Sequence, residues 1–344
     1  MTSSIGQRPL AVTMGEPAGI GPELVTRIWR KRHELALPPF IYVGAKDALH
    51  TYDQDIPVHL ITDPTQLSAG DNSALPVFDM PTEATIVPGT LNSDNGNAVI
   101  KSIDTAVQFA STGHVAGIVT APIHKACLYR AGFDAPGHTE YLARLCGLED
   151  DQSVMMLATE GLRVVPITTH VPLKDVSRVL TMDKIIHAGI VTAHDLRRCF
   201  GIENPRLAVT GLNPHAGEDG TIGMEEATHI QPAIWALKDY GIDVVGPAPA
   251  DTLFHAEARE KYDAVLCMYH DQALIPLKTL DFWGGVNITL GLPIIRTSPD
   301  HGTALSLAGK GTCRLDSMIA AIKTASKMAR LTNISQSNAT TNDG

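Results

Sequence analysis

The sequence of 344 residues contains no long apolar run and no extended basic segment. No apolar stretch approaches the roughly 18 residues of a membrane-spanning helix, and the first residues lack the basic and apolar regions of a secretion signal. The formal net charge is −10, and the basic residues 30–32 form an isolated cluster. Because nucleic-acid binding normally requires clustered positive charge, we expect neither nucleic acid nor membrane among the partners.

Cysteine is scarce, and no two cysteines form a C-x-x-C motif. The five cysteines stand singly, at Cys127, Cys146, Cys199, Cys267 and Cys313. This scattering does not resemble the framework of a disulfide-stabilised secreted domain. It favours a reducing compartment, and we predict a cytoplasmic protein.

Short β-branched runs alternate along the chain with longer amphipathic patterns. Hydrophobic residues make up 44% of the sequence and charged residues 19%, as in globular domains. Near-continuous apolar runs predict strands covered on both faces, at residues 10–15, 40–44, 115–122, 163–170, 206–214 and 263–270. Amphipathic patterns predict helices, at residues 21–32, 96–112, 138–147, 181–200 and 226–241. This alternation predicts an α/β fold with a largely parallel sheet.

Three of the predicted strands lead into a histidine. His170 and His270 end their apolar runs, and His215 directly follows its strand. Because ligands of α/β sheets bind beyond the carboxyl ends of strands, these side chains could converge on one ligand. Imidazole suits Zn²⁺ and similar ions, and three protein ligands with open positions are typical of a catalytic metal. The alternative is a structural role, since the chain has fourteen histidines. Asp271 is a candidate to orient the His270 ring, or is a structural cap.

The segment "PGHTE" places His138 and Thr139 at the predicted start of a helix. Thr139 has the residue type of an N-cap, and Glu140 falls in the first turn. Free N–H groups and the helix dipole at such a terminus can hold a phosphate or a carboxylate. A plain structural cap is the alternative.

Lys278, Asn287 and Arg296 lie nine residues apart within a strongly apolar region. Burying such groups costs free energy unless an anion or a carboxylate meets them. Arginine suits bidentate contact with carboxylate or phosphate, and lysine supplies a point charge. The sequence favours equally an anionic ligand and internal salt bridges to Asp271, Asp281 and Asp300.

The glycine-rich segment "GEPAGIGPELV", residues 15–25, joins a predicted strand to a predicted helix. Its spacing departs from the G-x-G-x-x-G fingerprint of dinucleotide-binding domains, so a tight turn is the preferred interpretation. The sequence therefore gives no motif-based assignment of nucleotide-contacting residues.

Seven motifs, in order over about residues 9–325, resemble the 4-hydroxythreonine-4-phosphate dehydrogenase family of vitamin B6 biosynthesis. They are "VTMGEPAGIGPELV", "VTAPIHKACLYRAGFDAPGHTEYLA", "THVPLKDV", "GLNPHAGEDGTIGMEE", "GPAPADTLF", "MYHDQALIPLKTLDFWGGVNITLGLPIIRTSPDHGTA" and "AGKGTC". Several of these motifs are long, which makes the resemblance specific. Glu16 stands where many members carry aspartate, a mild departure.

The resemblance implies an NAD-dependent oxidation, with NADP as an alternative cofactor, of the phosphorylated hydroxy amino acid 4-phosphooxy-L-threonine. The product, 2-amino-3-oxo-4-phosphooxybutanoate, loses CO₂ to give 3-amino-2-oxopropyl phosphate for the synthesis of pyridoxine phosphate. One divalent metal ion per active site, Zn²⁺, Mg²⁺, Mn²⁺ or Co²⁺, is also implied.

Matched motif by motif, the metal ligands of the family correspond to His170, His215 and His270. The substrate contacts correspond to His138, Thr139, Lys278, Asn287 and Arg296. We assign the catalytic role to Lys278, for proton transfer or charge neutralisation, with Asp251 as a second candidate near the metal or a substrate amine. The resemblance also implies a homodimer with its active site at the subunit interface, where both subunits supply metal ligands.

The fold implied by the resemblance is that of isocitrate and isopropylmalate dehydrogenases, with two α/β subdomains and the active site in the cleft between them. That fold binds NAD without G-x-G-x-x-G, in agreement with the absence of this motif. We place the subdomains at approximately residues 1–135 with 288–330, and 136–287, and a disordered polar tail at 331–344. No low-complexity linker is present, so short crossovers must join the subdomains.

Other functions are compatible with the same residues. A related dehydrogenase could act on threonate or erythronate 4-phosphate, or on a cis-dihydrodiol carboxylate. Metal-dependent hydrolysis would need only three histidines and water, and a phosphometabolite-binding protein would need no turnover. Formation of NADH and sensitivity to a chelator distinguish these classes.

Overall fold

The computed structural model describes residues 8–66 and 73–342, with side chains described as far as residue 332. Contacts within the chain form two compact units. Unit 1 comprises Met1–Asp150 and Leu292–Gly344, and unit 2 comprises Asp151–Gly291. Each unit combines strands and helices, so the predicted α/β fold class is confirmed.

Strands and helices alternate through most of the chain. The strands are β1 Leu10–Thr13, β2 Phe40–Gly44, β3 Val58–Leu60, β4 Leu75–Asp79, β5 Ile118–Val119, β6 Val154–Thr159, β7 Leu162–Thr168, β8 Arg206–Thr210, β9 Asp243–Ala248, β10 Ala264–Tyr269, β11 Val286–Leu290 and β12 Arg296–Pro299. The helices are α1 Ile20–Arg30, α2 Lys46–Tyr52, α3 Gly96–Ser111, α4 Lys125–Arg130, α5 His138–Leu145, α6 Val176–Val179, α7 Met182–Phe200, α8 Gln231–Asp239, α9 Ala256–Arg259, α10 His270–Leu280 and α11 Asp316–Asn342.

Unit 1 contains a parallel sheet with the strand order β3-β4-β2-β1-β5-β12. Near its centre Val12 pairs with Tyr42 on one side and with Val119 on the other. All three residues are fully buried. The apolar runs of the sequence are explained by this cover on both faces of the sheet.

Unit 2 contains a mixed sheet with the strand order β11-β6-β7-β10-β8-β9. The pairs β11–β6 and β6–β7 are antiparallel, whereas β7, β10, β8 and β9 run parallel. Ala273 and Leu277 of α10 join the core cluster formed with Val164 and Val265 of the central strands. Burial of a leucine side chain contributes roughly 1.5–3 kcal/mol, so this core fixes α10 on the sheet.

Four predicted boundaries at candidate site residues are wrong. β7 ends at Thr168, two residues before His170, and β8 ends at Thr210, five residues before His215. α5 begins at His138 with Gly137 as its N-cap, so Thr139 is not the cap. β10 ends at Tyr269, and His270 is the first residue of α10 rather than the last residue of a strand. The core contacts of α10 favour helix from this point.

α11 continues to Asn342, where the sequence predicts a disordered tail from residue 331. The segment 331–342 contains neither glycine nor proline, so no residue interrupts the helix. Residues 343–344, the end of the predicted tail, lie outside the described residues. No helix in the described ranges is both long and apolar enough to span a membrane.

Candidate active site

The candidate metal ligands follow the ends of three neighbouring strands of unit 2. His170 lies two residues after β7, His215 five residues after β8, and His270 directly after β10. β10 lies between β7 and β8, and all three strands run parallel. Their carboxyl ends therefore share one edge of the sheet, where ligands of α/β proteins bind.

The buried side-chain amide of Gln272 forms hydrogen bonds to the ends of β8 and β10. Gln272 Oε1 accepts hydrogen bonds from the Thr210 hydroxyl over 2.6 Å and from the Met268 N–H over 2.7 Å. Gln272 Nε2 donates to the Gly211 carbonyl over 2.8 Å. The Thr168 hydroxyl donates to the Met268 carbonyl, also over 2.8 Å. These bonds fix the points from which the three histidine segments leave the sheet.

His270 and His170 face each other at this edge. Their ring centroids are 5.9 Å apart, with 40° between the ring planes. Asp271 Oδ1 accepts a hydrogen bond from His270 Nδ1 over 2.7 Å. This bond favours the tautomer in which Nε2 of His270 carries the lone pair and can bind a metal. The orienting role considered for Asp271 matches this contact.

Two of the three histidines have a left-handed backbone. φ is 50° at His170 and 53° at His215, a region that costs a non-glycine residue about 1–2 kcal/mol. The residues 215–219, within the turn Pro214–Gly220, are all left-handed. Such strain persists only where surrounding contacts hold it, and it concentrates at functional sites.

The two catalytic candidates lie on different elements of unit 2. Asp251 is exposed and belongs to the 3-10 turn Ala250–Thr252, which contacts the turn that carries His215. Lys278 lies two turns along α10 from His270, and its Nζ is 5.4 Å from the Phe282 ring centroid. A cation over an aromatic face is held by the ring quadrupole. The Lys278 ammonium group therefore has a preferred position.

The predicted substrate residue Asn287 belongs to β11 and pairs with Leu157 of β6. β11 and β6 are antiparallel, whereas the histidines follow parallel strands of the same sheet. Asn287 is half-buried. The structure thus places it in unit 2 with Lys278 and the three histidines.

Within the described ranges of the single chain, no group of three or more His, Cys, Asp or Glu side chains is arranged to hold a metal ion. Two imidazoles on one zinc ion have ring centres roughly 5–6 Å apart, given Zn–N bonds of about 2 Å. The His170–His270 pair fits that spacing. The spacing of these two rings is therefore compatible with two imidazole ligands on one divalent ion.

In unit 1, His138 has a buried nitrogen, Nε2, that no hydrogen bond of the described residues satisfies. Burial and the positive charges of Arg296 and Lys125 lower its pKa well below the ordinary value. Lys125 Nζ donates to the Pro136 carbonyl over 2.8 Å, next to the start of α5. Two cations, a helix N-terminus and an unsatisfied ring nitrogen form a setting that suits an anion.

Arg296 is the first residue of β12 and is only 3% exposed. Its Nε and Nη2 both donate to the Thr120 hydroxyl, over 3.1 and 2.7 Å. Burial lowers the pKa of the guanidinium to about 10. It still carries its charge at neutral pH, held in place by Thr120 beside the sheet. Thr139, on the first turn of α5, is half-buried.

Several residues that support the site carry no prediction of their own from the sequence. Gln272, Glu226, Thr120 and Lys125 lie inside the motifs "YHDQ", "GMEE", "VTAP" and "PIHK". The polar residue within an apolar run is the available signal for Gln272 and Thr120. Each of the four has a contact partner at least 11 residues away in sequence, so local pattern does not reveal their roles.

Three histidines that follow parallel strands in unit 2 are residues of the type that bind a catalytic metal. In unit 1, a buried arginine near an unsatisfied imidazole suits an anion, and residues of both kinds are typical of enzymes that act on small anionic metabolites. The chain matches the family described as "Pyridoxal phosphate biosynthetic protein PdxA" over residues 36–325. The chain belongs to this family, and the predicted resemblance is confirmed.

Individual relatives agree with this assignment. The chain is 50% identical over 326 residues to 4-hydroxythreonine-4-phosphate dehydrogenase of Caulobacter vibrioides, covering 94% of this chain and 98% of the relative. The crystal structure of 4-hydroxythreonine-4-phosphate dehydrogenase from Klebsiella pneumoniae has a TM-score of 0.86 at 40% identity, covering 94% of this chain and 99% of that chain. A terephthalate 1,2-cis-dihydrodiol dehydrogenase from Burkholderia xenovorans LB400 shares the fold, with a TM-score of 0.65 at 24% identity over 93% of this chain and 98% of that chain.

Proposed function

We propose that this protein oxidises 4-phosphooxy-L-threonine with NAD and one divalent metal ion, in pyridoxal phosphate biosynthesis. The observation that carries the proposal is the 50% identity, over 94% of this chain, to a relative named 4-hydroxythreonine-4-phosphate dehydrogenase. The product is 2-amino-3-oxo-4-phosphooxybutanoate, which loses CO₂ to give 3-amino-2-oxopropyl phosphate. We also propose that the protein is cytoplasmic and forms a homodimer.

The residues divide the work by their chemistry. When bound, the metal polarises the alcohol oxygen as a Lewis acid and nicotinamide accepts the hydride. His170, His215 and His270 would hold the metal, with Asp271 orienting the His270 ring. Lys278 would take up the alcohol proton as a neutral amine, or offset the negative charge on oxygen as an ammonium ion. Asp251 is the second catalytic candidate, near the metal or a substrate amine.

The substrate anions need fixed positive charge. The buried Arg296, with Thr120 holding two of its nitrogens, is suited to a bidentate contact with phosphate or carboxylate. His138 and Thr139 at the start of α5 offer a ring nitrogen and free N–H groups to the same kind of anion. Asn287 adds an uncharged hydrogen-bonding group.

The test of this proposal is an NAD reduction assay over a panel of hydroxy acids. The panel contains 4-phosphooxy-L-threonine, threonate 4-phosphate, erythronate 4-phosphate and a cis-dihydrodiol carboxylate, each with NAD or NADP. We expect the highest kcat/KM with 4-phosphooxy-L-threonine, abolished by a chelator and restored by a divalent metal. Absence of NADH with that substrate, or turnover indifferent to the chelator, would overturn the proposal.

Replacement of His270 with alanine tests the metal site directly. His270→Ala should lose metal-dependent turnover by at least about 100-fold while circular dichroism shows the fold retained. The exposed His59 of β3, which lies in unit 1, is the matched control, and His59→Ala should keep wild-type activity. Unchanged metal content and activity in His270→Ala would contradict the assignment.

A further inference from the structure

Glu226 is a buried carboxylate with no part in the chemistry above. It is 6% exposed and begins the π-helical turn Glu226–Ile230 that precedes α8. Its Oε1 accepts hydrogen bonds from the N–H of Leu212 over 2.8 Å and of Asn213 over 2.7 Å. Its Oε2 accepts from Asn213 Nδ2 over 3.0 Å. These donors belong to the segment between β8 and His215.

The same carboxylate contacts the left-handed turn that carries His215. A Cβ at Gly217 would lie 2.6 Å from Glu226 Oε2, and one at Gly211 would lie 3.1 Å from Glu226 Oε1. Gly217 has a φ of 80°, so the turn needs glycine both for its backbone and for this close approach. The carboxylate therefore hydrogen-bonds the segment 212–213, which is the entrance of the turn, and packs against Gly217 in the middle of the turn.

We infer that Glu226 is a positioning residue for the metal ligand His215. Four non-glycine residues of the turn are left-handed, and this conformation persists only where contacts over-determine it. The three hydrogen bonds to Glu226 supply such contacts directly before His215. The inference rests on the proposed role of His215 as a metal ligand. It adds a residue that binds neither metal nor substrate.

The geometry distinguishes a carboxylate from an amide at position 226. Both oxygens of Glu226 accept hydrogen bonds from the segment 212–213. Glutamine can keep the two backbone bonds only by directing its NH₂ group at Asn213 Nδ2, which is also a donor. Glu226→Gln therefore keeps the volume of the side chain and removes part of the hold on the turn.

Glu225 offers a matched control on the neighbouring position. Its Oε2 accepts from the same Asn213 Nδ2, over 2.8 Å, and hydrogen bonding to Asn213 lowers its pKa. Its side chain is half-buried and contacts the side chain of Asn213 rather than the two backbone N–H groups. Glu225→Gln changes charge by the same amount as Glu226→Gln while leaving the entrance of the turn intact.

The experiment measures Zn²⁺ and Co²⁺ affinity of chelator-stripped full-length protein by titration calorimetry, without substrate or NAD. Glu226→Gln should bind metal about 10–100-fold more weakly than the wild type, whereas Glu225→Gln should bind nearly as tightly. Thermal unfolding of the metal-free variants reports whether they fold. If Glu226→Gln does not fold, Gly217→Ala takes its place, because it keeps the carboxylate and displaces the turn; it should weaken metal binding similarly.

Different outcomes contradict the positioning role of Glu226 and the proposed metal site. Wild-type affinity in a folded Glu226→Gln or Gly217→Ala protein would overturn the positioning role. An equal loss of affinity in Glu225→Gln would also overturn it, since charge near the turn would then be sufficient. A wild type that binds no metal would overturn the metal site itself.

Discussion

At the scale of single residues, the candidate His138 shows how burial sets the pKa of a side chain. Its Nε2 is buried and unsatisfied among the described residues, and burial with Arg296 and Lys125 nearby lowers its pKa. A neutral imidazole can hydrogen-bond an anion without adding a third positive charge to this region. Its protonation state should therefore be visible in the pH dependence of stability.

Replacement of His138 with glutamine should flatten that dependence. The unfolded chain binds a proton at this imidazole near its ordinary pKa of about 6.5, whereas the folded protein binds it only at lower pH. The wild type thus loses stability as pH falls below about 6.5, by up to about 1.4 kcal/mol per pH unit. Urea unfolding between about pH 7.5 and about pH 5 measures the slope, which should be smaller in His138→Gln.

The exposed His59 supplies the control for this measurement. His59→Gln removes a histidine from the exposed face of β3 and should leave the wild-type slope unchanged. Equal slopes in the wild type and His138→Gln would show that the folded protein protonates His138 as readily as the unfolded chain does.

At the scale of elements, the hydrogen bonds of Gln272 decide how the ends of β8 and β10 meet the start of α10. One side chain bonds the hydroxyl of Thr210, the N–H of Met268 and the carbonyl of Gly211. Gln272 is only 9% exposed, so these partners have little access to water. An unpaired buried polar group costs about 1–3 kcal/mol.

Gln272→Ala should therefore lower the free energy of unfolding by about 2–5 kcal/mol, since three buried groups lose their partner. Denaturant unfolding of the metal-free protein measures the change. Gln108, an exposed residue of α3, is the matched control, and Gln108→Ala should change stability by no more than about 0.5 kcal/mol. A loss below about 1 kcal/mol in Gln272→Ala would mean that water replaces the amide.

The elements also show where local pattern suffices. β2 occupies the predicted residues 40–44, and α3 and α7 fall within one residue of their predicted bounds, because each has a continuous apolar run or stripe. Of the two strands of the hairpin β6–β7, the sequence predicts only β7. β6 pairs antiparallel with both neighbours, and its pairing depends on β11, which lies far along the chain.

At the scale of the whole molecule, the proposed homodimer makes a prediction about mixed subunits. The resemblance implies that both subunits supply ligands to one metal. Co-refolding His170→Ala with His270→Ala should then restore part of the activity, since one site of each heterodimer keeps both histidines. NADH formation by purified, differently tagged heterodimers measures the recovery.

Each variant refolded alone should stay inactive, which controls for contamination by wild-type protein. No recovery in heterodimers would place His170 and His270 of one metal site on the same chain. The 5.9 Å separation of the two rings within one chain describes that arrangement. Recovery of activity would mean that the His170 and His270 of one metal site come from different subunits, and no recovery would mean that they come from the same subunit.

The sequence by itself determined the α/β class, the family and the location of the three histidines after three strands, because apolar runs and long motifs are local features. Only the tertiary structure decided which of these residues meet. The order β7-β10-β8 brings His170 and His270 together, and long-range contacts set Arg296 and Lys125 around His138. The same holds for Glu226, which contacts the left-handed turn that displays His215. Strand order and buried polar contacts arise from the packing of distant segments, and no local pattern encodes that packing.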